Sequence, residues 1–380
     1  MDFFLTEEQK MFQAMVRDFA TNVVKPEAAK IDEEGIFPTE IFKKAAELGI
    51  FGITIDEQYG GSGGDYLSMT LCSEELSKAL AGFATVFLAN LSLACYPIYK
   101  FGNEEQKKKF VTPIAKGEKI CCFALTEPGA GSDAGALQTT ATRDGDHFVL
   151  NGNKIFITNG AEASISVVFA TEDKSKGTKG ISAFIVETGT PGFSVGKTEH
   201  KMGIHGSSTT ELVFENCRIP KANQLGESGK GLRYALESID SSRVTVAAQA
   251  LGISQAAFED ALSYAQTRVQ FGKPLAQQQA IQWMLADMAT QIDAARMLVY
   301  RAAWLKDKSL PYMKEAAMAK LYAGEVSSFV TNKALQIHGG YGYCRDYPME
   351  RYLRDAKITE IYEGTSEMQR MTIARAVTTQ

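Results

Sequence analysis

The sequence predicts an α+β protein of three successive domains: N-terminal helices over 1–120, an antiparallel β domain over 121–228, and a C-terminal helical domain, four-helix-bundle-like, over 229–380. Three observations predict it. Apolar residues recur at three- and four-residue spacing in both outer parts, they alternate in the middle, and glycine- and proline-bearing seams divide the parts. At 380 residues the chain is also too long for one small core.

Thr6-x-x-Gln9 is a capping-box pattern, and Met11, Phe12, Met15, Val16 and Phe19 follow it at helical spacing. Pro38-Thr39 opens a second helix that stops at Gly49. A third begins after Gly63-Gly64-Asp65 and carries Leu67, Leu71 and Leu76. Asn103-x-x-Gln106 caps a fourth, which ends at Gly117. Between about 121 and 220 the period becomes two: Phe148, Leu150, Ile155, Ile157, Val167, Phe169, Phe184, Val186, Leu212 and Phe214 lie in short runs. Asp144-Gly145 and Asn151-Gly152 read as hairpin turns between them. The stretch 219–231, from Ile219-Pro220 to Gly229-Lys230-Gly231, is the linker. Long helices are expected over about 231–268, 275–306 and 311–337, the last closing at Gly339-Gly340, with short helices after it.

The net charge is −5, from 40 basic and 45 acidic residues, and no stretch is strongly basic; nucleic acid is excluded as a partner on that ground. No run of 18 apolar residues appears, so no membrane span is expected. The opening Met1-Asp2-Phe3-Phe4-Leu5-Thr6 lacks the features of a secretory or transit segment. A cytoplasmic protein is expected, and a processed mitochondrial matrix form would read the same. Cysteines at 72, 95, 121, 122, 217 and 344 form no C-x-x-C pair and sit among apolar residues, so buried thiols are expected and no metal site.

Two glycine-rich stretches invite a phosphate-loop reading. Gly60-Gly61-Ser62-Gly63-Gly64 is followed by no Gly-Lys-Ser/Thr, and reads as a connector into a helix. Leu125-Thr126-Glu127-Pro128-Gly129-Ala130-Gly131-Ser132-Asp133-Ala134-Gly135 has the wrong spacing for a dinucleotide fingerprint and runs into strands, not a helix. Its small residues still let a flat ligand approach the backbone, and N–H groups beside Thr126 and Ser132 can donate to carbonyl or pyrophosphate oxygens.

That segment is one of five motifs, in order along the chain. The others are Lys154-Ile155-Phe156-Ile157-Thr158-Asn159-Gly160, Arg268-Val269-Gln270-Phe271-Gly272, Gln336-Ile337-His338-Gly339-Gly340-Tyr341-Gly342 and Arg354-Asp355-Ala356-Lys357-Ile358-Thr359-Glu360-Ile361-Tyr362-Glu363-Gly364-Thr365-Ser366-Glu367. Through them the chain resembles the acyl-CoA dehydrogenase family over essentially its whole length. The resemblance implies FAD, bound non-covalently between the β domain and the C-terminal bundle, with part of the site from a neighbouring subunit of a homotetramer. It implies that Phe123, Leu125, Thr126, Gly131 and Ser132 line the flavin on one side, and Phe156, Ile157 and Thr158 on the other. Arg268 would pair with the pyrophosphate, a task suited to a guanidinium fork. Phe271 and Gln279 would lie near the same dinucleotide, Gln336, Gly339 and Gly340 would cradle its adenosine half, and Thr365 and Glu367 would bind the diphosphate and ribose end. Taken alone, Arg268 reads as a surface cation and Phe156 as core; the joint pattern assigns them.

Removing a proton next to a thioester requires a positioned carboxylate, donors on the thioester oxygen and exclusion of water. The resemblance implies that Glu363 is the base and that its own N–H helps hold the thioester oxygen. Some relatives carry the base on an earlier helix, just before an arginine. The matching segment here is Asp240-Ser241-Ser242-Arg243, and Ser242 cannot be a base. Ser132, Asp240, Arg243, Tyr362 and Gly364 match substrate-contacting positions. The acyl tail would run between helices near 84–100 and 232–246. Bulky Phe87, Leu88, Leu91, Leu93 and Tyr96-Pro97 in the first would shorten the pocket. The same residues read equally well as ordinary core packing; overall, the chain resembles short-chain, butyryl-type members most, which implies a short-chain acyl-CoA, with a branched or aryl acyl group as the alternative and a nitroalkane-oxidase-type flavin oxidase a remoter one. The implied electron partner is electron-transfer flavoprotein, in either reaction direction.

Overall fold

The computed structural model describes residues 5–379; residues 1–4, on which part of the N-terminal reading fell, lie outside the described residues. Helix α1 (Glu7–Phe19) starts at the expected capping box, with Gln9 N–H donating to Thr6 Oγ1 at 3.2 Å and Thr6 N–H to Gln9 Oε1 at 3.0 Å. A π turn and a 3-10 turn then lead into α2 (Ala28–Glu34), which the sequence reading did not include. Helix α3 (Thr39–Glu47) runs up to left-handed Gly49, and α4 (Tyr66–Ala79) is capped by Asp65, whose Oδ1 accepts from Ser68 N–H at 2.7 Å. The glycine run before α4 is the expected connector.

Helices α5 (Ala81–Leu88) and α6 (Tyr96–Phe101) flank a π-helical segment, Ala89–Cys95. Ala81–Phe101 is long and apolar enough to cross a membrane, with an 18-residue window at a mean hydropathy of 1.5, but 89% of that window is buried inside the protein. Its apolar character serves the core. The part closes with α7 (Glu104–Gln106), on its own capping box, and α8 (Thr112–Ala115) before Gly117.

The middle part holds β1 (Cys121–Ala124), β2 (Thr140–Asp144), β3 (His147–Thr158), β4 (Ile165–Thr171), β5 (Ile181–Glu187), β6 (Phe193–Thr198), β7 (Thr209–Pro220) and β8 (Gln224–Leu225). The strand order is β6-β7-β3-β2-β4-β5-β8, with β1 also on β4. The expected antiparallel sheet is in fact mixed: β1 and β2 both pair with β4 in parallel. Alternation of apolar residues reports which face is buried, not strand direction, so the sequence pattern was silent on this. Asp144-Gly145 is the expected hairpin turn, pairing Asp144 with His147. Asn151-Gly152 is not a turn. It is a bulge inside β3, where the register against β7 shifts and Gly152 takes φ +143°. A Cβ there would lie 2.6 Å from Thr139 Oγ1, so close approach of a neighbouring chain segment explains the glycine.

The C-terminal part contains α9 (Gly231–Thr267), a two-strand ribbon of β9 (Val269–Gln270) and β10 (Lys273–Pro274), α10 (Gln279–Asp307), α11 (Met313–His338), α12 (Met349–Ile358) and α13 (Ser366–Thr378). Helices α9, α10 and α11 pack together, and α4 completes the bundle from the other end of the chain. Polar contacts fix that insertion: Asp307 accepts from the N–H groups of Tyr66 and Leu67, Ser73 Oγ donates to Thr245 O, and Arg296 pairs with Glu74 at 3.0 Å. All six cysteines are free. Five are buried as expected, but Cys344 is exposed, in the irregular segment after α11.

Candidate active site

Residues 359–365 connect α12 to α13, and the base candidate sits in this loop. Glu363 has φ +55° and Gly364 φ +91°, so a non-glycine residue occupies the left-handed region beside a glycine that also requires it. Such a residue costs on the order of 1–3 kcal/mol and persists only where its surroundings over-determine it. Here they do. Gln369 Nε2 donates to Glu363 O at 3.2 Å and to Gly364 O at 2.8 Å, Lys320 Nζ donates to Gly364 O at 2.7 Å, and Ser366 N–H donates to Glu360 O at 2.9 Å. Thr365 then caps α13.

The Glu363 carboxyl opens on a cavity of about 30 Å³ walled by Leu88, Leu93, Thr158, Ser242, Val246 and Tyr362. Burial pushes its carboxyl above the ordinary carboxylate range. A hydrogen bond from Ser242 and the charges of Lys320 and Arg243 pull the other way without cancelling it. Ser242 Oγ lies 2.7 Å from Glu363 Oε2. The serine at the rival base position is thus the direct partner of the base, a contact the sequence reading missed; the shared position was the available signal. Tyr362 Oη donates to Gln249 Oε1, and Gln249 Nε2 donates to Thr85 Oγ1 at 2.7 Å, which ties the loop to α9 and α5. Of the bulky residues expected in the pocket wall, Leu88 and Leu93 line it. Phe87 is fully buried and packs against Phe51, and Leu91 is likewise core.

Beside Ser242 on α9, Arg243 pairs with Asp240 at 2.5 Å while its Nε is buried without a partner among the described residues. Burial raises the Asp240 carboxyl despite the arginine. Asp240 faces a second cavity, of about 630 Å³, with Tyr96, Lys100, Arg233, Lys306 and Tyr312 in its wall. The Lys306 ammonium lies 3.6 Å from the Tyr66 ring centre and donates to Ser241, and burial brings it down to about 7. The two cavities flank the same turn of α9.

The loop after β1 is stiffened from beneath. Lys154 is fully buried, 2.7 Å from Glu127, and also donates to Leu125 O. Burial lowers the Lys154 ammonium to about 8, and the lysine in turn holds the Glu127 carboxyl below its usual range against the effect of its own burial. Glu127 also accepts from the N–H groups of Gln138 and Thr139, and Ile155 N–H donates to Thr126 O. Above this support, Gly131 faces open space, Ser132 is exposed, and Phe156 is 59% exposed at φ +56°. The side chains of Leu125 and Ile157 point into the core, so these two offer a flat ligand only their backbone, while half-buried Phe123 packs on Phe169. At the bundle end, the Arg268 guanidinium sits 5.6 Å from the Tyr341 ring, Phe271 is 96% exposed, Gln279 and Gln336 are exposed, and a Cβ added at Gly339 or Gly340 would meet nothing within 4 Å. Glu367 lies exposed in the first turn of α13 beside Thr365. Open glycine cradles, an arginine with no ion pair among the described residues and uncovered aromatics fit a dinucleotide and a second protein surface. Among the described residues no cluster of His, Cys, Asp or Glu could hold a metal ion.

Models of the acyl-CoA dehydrogenase N-terminal, middle and C-terminal domains match residues 6–118, 122–217 and 229–378. A short-chain-specific acyl-CoA dehydrogenase of Clostridium acetobutylicum is 54% identical over 374 residues, covering 98% of this chain and 99% of that protein. An NADH-linked acryloyl-CoA reductase of Anaerotignum propionicum is 52% identical over 99% of this chain and 96% of its own length. The butyryl-CoA dehydrogenase structure from Megasphaera elsdenii superposes with a TM-score of 0.98 at 51% identity, with all of both chains covered. A chain from a structure titled for the electron transferring flavoprotein of Acidaminococcus fermentans and flavin-based bifurcation matches with a TM-score of 0.98 at 52% identity, over 99% of each chain. The chain belongs to the acyl-CoA dehydrogenase family, FAD-dependent oxidoreductases acting on CH–CH groups.

Proposed function

We propose that this chain catalyses the α,β-dehydrogenation of a short-chain acyl-CoA, or the reverse reduction of the enoyl-CoA, with Glu363 as the base. The observation that carries the reading is Glu363 itself: a carboxyl raised by burial, on a strained and over-determined loop, facing a small, partly apolar cavity. Glu363 Oε takes the α-proton. Among the described residues its N–H has no acceptor, which leaves it free to donate to the thioester oxygen as charge develops there. Arg243 and Asp240 orient the thioester end of the CoA arm, and Leu88, Leu93 and Val246 exclude water from the tip. Ser132, Tyr362 and Gly364 complete the substrate wall. When bound, the flavin supplies the acceptor for the β-hydrogen and two electrons. The residues at 123–132, 156–158, 268–279, 336–340 and 365–367 would hold it, those of the bundle end partly on behalf of a neighbouring subunit.

Two of the relatives are named for short-chain acyl-CoA or butyryl-CoA dehydrogenation and one for reduction of acryloyl-CoA, so both directions belong to the reading. Exchange with electron-transfer flavoprotein rests on the bifurcation structure, a homotetramer on the family resemblance, and the cytoplasm on the bacterial relatives. The test is an anaerobic titration of the yellow protein with butyryl-, isobutyryl-, hexanoyl- and octanoyl-CoA. Butyryl-CoA should bleach the flavin fastest, and Glu363→Gln should bind it yet lose nearly all turnover. Wild-type rates in the Glu363→Gln enzyme would refute the base assignment, and faster bleaching by a branched ester would move the substrate to that class.

A further inference from the structure

Lys320 is the one charged side chain in the stretch Ala316-Ala317-Met318-Ala319-Lys320-Leu321, and it faces inward on α11. Only 1% of it is exposed, and its Nζ donates to the Gly364 carbonyl at 2.7 Å. Among the described residues it has no carboxylate within ion-pairing distance. An enclosed ammonium with a single carbonyl acceptor is expensive to keep. Pinning the loop does not require a charge, because Gln369 donates a neutral N–H to both the Glu363 and Gly364 carbonyls. What the lysine adds is a positive charge behind the base. We infer that Lys320 is a positioning residue of the reaction: it pins the left-handed Glu363-Gly364 turn through the Gly364 carbonyl and supplies the charge that keeps the Glu363 carboxylate ionised in an enclosed site.

The charged groups around it support this role. Burial brings the ammonium down to about 8, so it remains charged at neutral pH. Glu363 and Glu360 from the loop and Glu367 from α13 favour that charge, and Arg243 from α9 opposes it. Glu363 in turn feels Lys320 more strongly than Arg243. Arg243 is ion-paired with Asp240 at 2.5 Å, whereas among the described residues Lys320 has no carboxylate in direct contact, so less of its charge is neutralised locally.

The inference rests on Glu363 being the base, and the experiment separates the two. The holoenzyme is made as wild type, Lys320→Arg (charged donor), Lys320→Gln (neutral donor), Lys320→Met (neither) and Glu363→Gln. The Glu363 carboxyl is titrated directly by infrared difference spectroscopy, with Glu363→Gln as the blank, and the pH profile of flavin bleaching by butyryl-CoA is recorded in parallel. Lys320→Gln and Lys320→Met should both raise the Glu363 midpoint by about one pH unit, with the acid limb of the rate profile moving equally, while Lys320→Arg stays near wild type. A merely structural lysine would lower FAD content or the plateau rate and leave the midpoint in place. An unmoved midpoint in Lys320→Gln, or an equal shift in Lys320→Arg, overturns the inference. If Lys320→Met fails to fold, the Lys320→Gln and Lys320→Arg pair decides. An active Glu363→Gln sinks the base assignment itself; an inactive one beside an unmoved Lys320→Gln sinks only the lysine's role.

Discussion

Replacing Ser242 by alanine removes the nearest donor to the base without touching its charged neighbours. The hydroxyl lies 2.7 Å from Glu363 Oε2, and a hydrogen bond to a charged group contributes about 1.5–3 kcal/mol. The same hydroxyl can also point to Ile239 O at 3.1 Å, so the lower end of that range applies. Since about 1.4 kcal/mol corresponds to one pKa unit, the carboxyl, already above its ordinary range, should rise by about one unit more. The sign follows from the role. The base acts only when ionised, so rates below the midpoint should fall about tenfold, while the plateau at higher pH stays within about threefold. Stopped-flow bleaching by butyryl-CoA across pH measures both limbs. A midpoint that stays or moves down in Ser242→Ala would show that the hydroxyl does not stabilise the carboxylate.

Two further predictions concern the walls of the site. Leu93→Ala should deepen the cavity and shift kcat/KM from butyryl- toward hexanoyl-CoA by about tenfold, at a stability cost of about 2 kcal/mol; unchanged chain-length preference would remove Leu93 from the acyl wall. Lys154→Met strands the Glu127 carboxylate under the flavin-side loop, which should cost about 3–5 kcal/mol. It should show as a lowered melting midpoint and loss of FAD on gel filtration, and a variant that retains both would mean the loop does not depend on the buried pair.

The helical frame was legible where caps and periodicity speak locally. Thr6/Gln9 and Asn103/Gln106 formed the boxes their spacing predicts, and the long bundle helices began and ended within a few residues of expectation. Helix α2 was not legible because turns rather than a side-chain cap lead into it. Asn151-Gly152 misled because a bulge and a hairpin ask the same conformational freedom of glycine. In the site, Glu363 was read through its motif, but its left-handed backbone, its contact with Ser242 and the lysine behind it are long-range facts. Ser242 is 121 residues from the base along the chain, and Lys320 lies 44 residues before the Gly364 whose carbonyl it meets. Only the lone lysine in an alanine-rich stretch hinted at the last.

The π-helical segment Ala89–Cys95 contributes Ala89, Ser92 and Leu93 to the wall facing Glu363. A π turn is an α-helix carrying one surplus residue. Deleting a single residue there would restore ordinary helix and change only which side chains that turn presents, while Ala81 and the α6 end stay anchored in the core. Different side chains would then face the acyl tip with no change elsewhere in the fold. Pocket depth in this architecture is therefore open to a kind of variation that point substitution does not reach: the length of one helix, altered by a single codon.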